Sequence, residues 1–360
     1  MASQDILIVG GYGVVGRRIA ADLGPDFPGR VVLGGRNLLR ANEAANALGH
    51  GTRGRRIDIL DARSVADALD GVATVVSCID QPGRSLLQAA IARGLSYTDI
   101  TPHLTELGRG VAYDSINAAA RASGARIVLG TGIVPGISSV MVRALAERLG
   151  GCDEIDTALL LGANDISGPA SFDYFLQELT MPFDIRVDGR DIKAAAFSAP
   201  RWVDFPEPVG RQTAYLFPFS DQVLYPRTMG ARTVLTRLAI EPVWLARCLA
   251  ALVRTRMHRL FAVEKLRSIV AKPRRDRPSR EGARFALRVD VKRNGIARHA
   301  TLLGQTQADA AAAGAAGVAR ALIENRVREP GAWMPEQVIE PAPFLARLAT
   351  KGLEVQFADA

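Results

Sequence analysis

Cysteine is scarce: Cys78, Cys152 and Cys248 are the only three in 360 residues. Their odd number and wide spacing exclude a disulfide framework, a thiolate metal site and a redox pair, so no bound metal is expected and a reducing compartment, the cytoplasm, is the expected location. Long apolar runs are lacking as well. The first one is interrupted by Asp5 and ended by Gly10, so it reads as a strand and not as a targeting peptide. The longest weakly polar tract, Ala308 to Ile323, is built on alanine and broken by Asp309 and Arg320, short of the roughly 20 apolar residues a membrane span needs. No transmembrane helix is expected. No nucleic-acid-binding motif is recognisable, although 45 Lys and Arg against 37 Asp and Glu leave a charge of +8. The excess is clustered at Arg53, Arg55 and Arg56 and over Lys272 to Arg280, a pattern that serves anionic cofactors, acidic lipids or solubility more than DNA or RNA. Internal repeats are absent too.

What is there is an ordinary globular composition, 48% hydrophobic and 23% charged, long enough for about two domains. The first third alternates β-branched runs with helical patterns. The runs are Ile6 to Val9, Val31 to Leu33, Arg56 to Ile59, Thr74 to Cys78, Tyr97 to Ile100 and Arg126 to Leu129. Strands separated by helices need crossover connections, hence a doubly wound parallel sheet. Val15, Ile19 and Leu23 recur four apart on one helix, and Ser64 with Asp67 reads as a capping box. From about Asp153 the period changes to two. Asp188-Gly189 and Asn294-Gly295 are hairpin turns, the second following Phe285, Leu287, Val289 and Val291 on one strand face, and they place an antiparallel sheet in a second domain. A helical tract over Pro242 to Val270, the basic loop Lys272 to Arg280, an alanine-rich helix near Gln307 to Asn325 and an amphipathic segment Pro343 to Leu348 complete the chain. The expected fold is α/β: a Rossmann domain over 1–136, a second α+β domain with an open, largely antiparallel sheet over 137–305, and a helix and tail over 306–360 packing back on the first.

The chemistry-bearing motif follows the first strand as Gly11-Tyr12-Gly13-Val14-Val15-Gly16. Its glycines allow a tight turn, close approach of a pyrophosphate and close packing of helix on strand, with the helix N-terminus facing the anion. In an NAD site an acid at the end of the second strand, roughly 20 residues on, accepts the ribose hydroxyls. Here Gly35 stands in that place, followed by Arg36 and Asn37, with Arg40 one turn further. A missing carboxylate and an added guanidinium suit a 2′-phosphate, so the expected cofactor is NADP. Asp58 and Ile59 close the third strand near the adenine, where Asp58 alternatively caps the next loop. Cys78, Ile79 and Asp80 end the fourth strand, at the carboxyl edge where open α/β sheets bind ligands.

Read in order, Gly11 to Gly16, Gly35-Arg36, Ser77-Cys78, Gly94 to Asp99, Gly132-Ile133-Val134-Pro135-Gly136 and the closing Gly331-Ala332-Trp333-Met334-Pro335-Glu336 with Phe344-Leu345 and Gly352 resemble the landmarks of the saccharopine dehydrogenase-like reductases. That resemblance implies a Rossmann domain, a second domain with an open sheet, and NAD(P)-dependent reduction, often of an imine formed from an amino acid and a carbonyl compound. One departure matters: members handling amino acids often carry an acid immediately before the Pro-Gly, where this chain has Val134. The expectation is reduction of a C=N or C=O bond of a small metabolite. The alternatives are an enoyl or keto reductase of a lipid- or polyketide-like substrate and a non-catalytic NADP-binding regulator.

Of four histidines only His103 follows a sheet strand at its carboxyl end, which makes it the candidate proton donor, with Asp99 and Tyr97 on the same stretch. Thr101, Gly132, Pro135 and Gly136, with Phe172, Tyr174 and Arg201 from the second domain, are the candidate substrate neighbours. Trp244, Leu245, Cys248, Leu249 and Leu252 form one apolar helix face beside Arg247, Arg254, Arg256 and Arg259, which fits packing within the domain, a homodimer or a peripheral membrane contact. On the sequence alone, Gly35→Asp is expected to turn the cofactor preference toward NADH.

Overall fold

The computed structural model describes residues 4–100, 111–162, 175–176, 178–258 and 284–359. They form two compact units, residues 1–140 with 308–351 and residues 141–307 with 352–360.

The first unit is built on β1 (Asp5–Val9), β2 (Val31–Gly35), β3 (Arg53–Arg56), β4 (Val72–Ser77), β5 (Ser96–Asp99), β6 (Arg126–Val128) and β15 (Gly331–Trp333), numbered along the chain. All neighbours pair parallel in the order β15-β6-β5-β4-β1-β2-β3. The sheet is the expected doubly wound one, and its strand order reverses direction between β1 and β4, the point at which such sheets bind ligands. Ile6, Ile8, Val31, Leu33 and Val76 pack with Ile19 and Leu23 of the helix Val14–Leu23. Ala312, Ala315, Ala316 and Ala319, from the helix Gln307–Ile323, join the same core, so its alanines serve close helix-on-sheet approach.

Two local expectations are corrected. β3 ends at Arg56, so Asp58 lies beyond the strand and its side chain accepts the Leu60 N–H at 3.1 Å, the alternative role of loop cap. The helix Ala62–Ala68 is capped by Asp61, which accepts the Arg63 N–H at 2.9 Å, while Ser64 sits inside the helix and accepts the Asp58 N–H at 3.0 Å. The Ser64–Asp67 capping box is therefore not formed. An aspartate nearer the chain reversal outcompetes it, because its short carboxylate meets the first free N–H groups.

The clustered arginines of β3 have an internal role. Asp5, buried at the start of β1, receives Arg53 at 2.6 Å and Arg55 at 2.8 Å across the intervening strand, and Arg55 also donates to the carbonyls of Ala68 and Asp70. Only Arg56 of the three is left exposed without an ion pair to Asp5.

The second unit carries β7 (Glu154–Gly162), β8 (Phe183–Val187), β9 (Arg190–Ala194), β10 (Ser198–Asp204), β11 (Arg211–Leu216), β12 (Thr233–Glu241), β13 (Phe285–Arg293), β14 (Ile296–Gly304) and β16 (Val355–Asp359). Their order is β10-β11-β12-β7-β13-β14-β16, with the β8–β9 hairpin branching from β12. Every pairing is antiparallel except β12 with β7. Both expected hairpins are present. Asp188 and Asn294 have φ of 50°, and the glycines after them have φ of 79° and 82°, the double positive φ of a tight primed turn. Phe285, Leu287, Val289 and Val291 are fully buried on one face of β13. Arg201 donates to Asp156 at 2.5 Å beside Arg237 at 3.1 Å, so its guanidinium is engaged within the second sheet.

Residues 352–360, expected with the N-terminal domain, instead supply β16 to the second sheet, pairing with β14. Of the long helical tract, Val243–Arg254 is helix, and residues 259–283, with the basic loop Lys272 to Arg280, lie outside the described residues. On that helix Trp244 and Cys248 are exposed and only Ala246 is buried. Among the described residues, no helix is long and apolar enough to cross a membrane.

A buried carboxylate serving two guanidinium groups makes a defined prediction. Asp5→Ala should destabilise the protein by about 2–3 kcal/mol, less than the roughly 3–5 of a fully buried pair because Arg53 is half exposed. Denaturant unfolding of the variant checks this, and an unchanged midpoint would show that the arginines are satisfied by the carbonyls alone.

Candidate functional site

The carboxyl edge of the parallel sheet is assembled around β1 and β4. After β1, the N–H groups of Gly10 and Gly11 both donate to the Gly34 carbonyl, at 2.9 and 3.0 Å, and Gly13 N–H donates back to Gly10 at 2.9 Å. This folds the chain tightly onto β2. A Cβ on Gly11 would lie 2.7 Å from the Ile8 carbonyl oxygen and 2.8 Å from Leu33 Cα, and one on Gly16 would lie 2.8 Å from Gly11 Cα. Both positions are therefore restricted to glycine by space. Gly13 is the N-cap of the helix Val14–Leu23 and provides no side-chain cap. The free first-turn N–H groups and the positive end of the helix dipole face outward there, with Val14 exposed, and this is the donor set a pyrophosphate requires. The residues present fit a dinucleotide.

At the end of β2, Arg36 and Arg40 are exposed, and the Arg40 guanidinium lies 5.8 Å from the centre of the Tyr12 ring. Asn37, expected with the cofactor, is the N-cap of the helix Leu38–Leu48, and its Oδ1 accepts the Arg40 N–H at 3.1 Å. Arg56 ends β3 in register with Gly35. Ile59 keeps its carbonyl for the Ser85 hydroxyl, at 2.7 Å, so the loop Asp58-Ile59 is tied to the start of the helix Ser85–Ala92, beyond β4.

At the end of β4, Cys78 N–H donates to the Val9 carbonyl at 2.9 Å, and a Cβ on Gly10 would stand 2.7 Å from Ile79 Cγ2. The turns after β1 and β4 thus touch, with Asp80 exposed beyond them. Burial, with the charge of Asp99 second, pushes the Cys78 thiol up to about 12. It is a neutral packing group and not a nucleophile.

Behind Cys78 lies a polar cluster. Tyr97, fully buried, donates to Asp99 Oδ2 at 3.2 Å and receives Gln81 Nε2 at 2.5 Å, and the same amide nitrogen donates to Ser77 Oγ at 2.9 Å. Asp99 Oδ1 accepts the Gly130 N–H at 3.2 Å, and its carbonyl accepts both the N–H and the hydroxyl of Thr131 at 2.8 Å. Burial first, and the Asp99 charge second, raise the Tyr97 hydroxyl well above its ordinary value, so it stays protonated. The structure places Tyr97 and Asp99 as braces inside the sheet edge. Gln81, which the sequence reading passed over, is the hub joining β4 to β5. A glutamine directly before Pro82-Gly83, just past a buried strand, is the signal that marks it.

The loop after β6 closes on itself: Ile137 N–H donates to the Gly132 carbonyl at 3.0 Å and Ser138 N–H to that of Ile133 at 2.9 Å. Gly136, at φ 129°, would place a Cβ 2.6 Å from the Gly132 carbonyl carbon. Gly132, Pro135 and Gly136 are buried, so they shape this loop, and Val134 is its partly exposed residue. A Cβ on Gly314 of the helix Gln307–Ile323 would lie 2.8 Å from the Gly132 oxygen, which fixes how closely that helix backs the loop. Thr101, His103, Phe172 and Tyr174 lie outside the described residues. Among the described residues no group of three or more His, Cys, Asp or Glu is placed to hold a metal ion.

This architecture, a dinucleotide-type parallel sheet followed by a mixed open sheet, is a dehydrogenase-like fold. Apo saccharopine dehydrogenase (L-Glu forming) from Saccharomyces cerevisiae has it, at TM-score 0.70 and 14% identity over 99% of this chain and 100% of that one. GenD2 from gentamicin A biosynthesis in complex with NAD (TM-score 0.45, 14% identity, 100% and 97% of the two chains) and DAP dehydrogenase of C. glutamicum in complex with DAP (0.44, 15%, 98% and 99%) are more distant in shape. No protein-family model and no curated protein matches the chain.

The thiols supply a check. With Cys78 held near 12, Cys152 near 11 and Cys248 exposed, alkylation by iodoacetamide at pH 8 should label Cys248. Against an ordinary value of 9, Cys78 should react about a thousandfold more slowly, in proportion to its thiolate fraction. Mass spectrometry of tryptic peptides reads the sites, and early labelling of Cys78 would contradict its burial.

Proposed function

We propose that the protein is an NADP(H)-dependent oxidoreductase that reduces a C=N or C=O bond of a small metabolite. The observation that carries the reading is the end of β2: a glycine where an NAD site has its carboxylate, followed by an exposed guanidinium, beside an uncapped helix N-terminus closed by glycines. The fold shared with saccharopine dehydrogenase supports it. Gly11, Tyr12, Gly13, Val14, Val15 and Gly16 would take the pyrophosphate, Arg36 with Arg40 the 2′-phosphate, and Cys78, Ile79 and Asp80 the nicotinamide end. The cofactor, when bound, supplies the hydride.

The chain's own part is orientation, exclusion of water and delivery of a proton. Asp99 and Tyr97 hold the ends of β4, β5 and β6 in fixed relation, and the Gly132–Gly136 loop forms the wall behind the substrate. We assign the proton to His103, four residues past the end of β5 in the sequence. Its replacement by Ala or Asn should lower kcat while leaving NADPH affinity nearly unchanged. Equal turnover in both variants would remove it from the reaction.

The cofactor assignment has its own test. A charge-assisted hydrogen bond contributes about 1.5–3 kcal/mol, so Arg36→Ala should weaken NADPH binding roughly tenfold to a hundredfold and leave the weaker NADH binding nearly as it was. Titration of both cofactors into wild type and variant decides this. Equal loss for the two, or wild-type binding of NADH as tight as NADPH, would make Arg36 a structural residue.

A further inference from the structure

Gly35 is not a glycine for the sake of its backbone, since it is not among the residues of positive φ. It is one for the sake of space. A Cβ at this position would fall on Cε1 of Tyr12 and stand 2.9 Å from Cζ and 3.0 Å from Cδ1 of the same ring. The ring comes from the glycine turn after β1, between Gly11 and Gly13, and its edge stands beside Gly35 at the end of β2. Arg40 stands over its face at 5.8 Å, the Asn37 N–H approaches its hydroxyl at 3.5 Å, and Asn37 in turn caps the Arg40 N–H. Glycine, guanidinium and helix cap hold the ring from three sides.

We propose that Tyr12 determines the choice of dinucleotide. This rests on the NADP(H) reading above. The acid of an NAD site has to stand at position 35, and in this protein the volume it needs is filled by the Tyr12 ring. Where it stands, the ring overlaps any side chain at position 35, so a carboxylate enters the 2′ region only by displacing it and its cation–π contact with Arg40. The preference is thus set one element away from the strand end at which it is exercised. On this proposal Gly35→Asp alone does not turn the protein toward NADH, because the new side chain meets the ring before it meets a ribose.

The test is a double-mutant cycle on the full chain, with Gly35→Ala, Gly35→Asp, Tyr12→Ala and the two Tyr12→Ala doubles. Melting temperature without cofactor reads the steric term. Gly35→Ala and Gly35→Asp should each lower it by about 3 °C or more, and the same changes should cost little in the Tyr12→Ala background. Dissociation constants read specificity. Gly35→Asp should lose NADPH without gaining NADH, whereas Tyr12→Ala with Gly35→Asp should bind NADH at least tenfold more tightly than wild type. If Gly35→Asp alone keeps the wild-type melting temperature and gains NADH as fully as the double variant, the ring swings aside freely and the proposal is overturned. Should wild type prefer NADPH while the double variant gains no NADH affinity, Tyr12 fails as the determinant and the NADP(H) reading stands. Wild type binding neither dinucleotide would overturn both.

Discussion

The first unit depends on one buried carboxylate. Asp99 ends β5 with 7% of its surface exposed, and a charge so placed must be met by donors on every side. The donors come from different elements: the Tyr97 hydroxyl from its own strand and the Gly130 N–H from the turn after β6, while Thr131 binds the carbonyl. Gln81 extends the arrangement to β4 through Tyr97 and Ser77. Three strand ends that would otherwise be independent loop roots are bound into one polar patch behind Cys78. The same charge helps keep the neighbouring Cys78 and Tyr97 neutral. The chemistry of this edge is therefore quiet by design of its surroundings, and reactive groups must be sought in front of it.

Around that patch the packing is decided by where side chains are missing. Gly11 and Gly16 admit the helix Val14–Leu23 to the sheet, and Gly314 admits the helix Gln307–Ile323 to the loop after β6. These contacts are backbone against backbone, and no rotamer change can relieve an added methyl group there. Such sites hold their geometry without ligand, which is the preorganisation a cofactor-binding edge needs.

The parallel sheet, both hairpins and the glycine turn after β1 were legible in the sequence because each has a local signature: β-branched runs, Asp-Gly and Asn-Gly pairs, and spaced glycines. β3 was misplaced by three residues because its polar sequence, Arg53-Gly54-Arg55-Arg56, hides a strand whose arginines reach back to Asp5. Gln81 is marked in the sequence by its place before Pro82-Gly83, but its partner Tyr97 is not, because only the folded sheet brings the two together. Gly35 was read as the place of an NAD site's missing acid, a reading that took no account of the space a side chain would need there. Its contact with Tyr12 is between residues 23 positions apart, and only the folded turn brings them together. The tail from 306 onward reads as one block by composition, yet its strand β16 belongs to the other unit, because backbone pairing ignores composition.

That tail has a consequence for the order in which the chain can fold during synthesis. β6 has β5 on one side, but its other edge waits for β15, and the contact of Arg126 with Val327 spans 201 residues. At about 5–20 residues per second, the ribosome leaves that edge uncovered for roughly 10 to 40 s. β14 waits in the same way for β16. Both sheets thus gain a strand from a segment far later in the chain, and the edges of β6 and β14 are open to neighbouring nascent chains or to chaperones until that segment emerges.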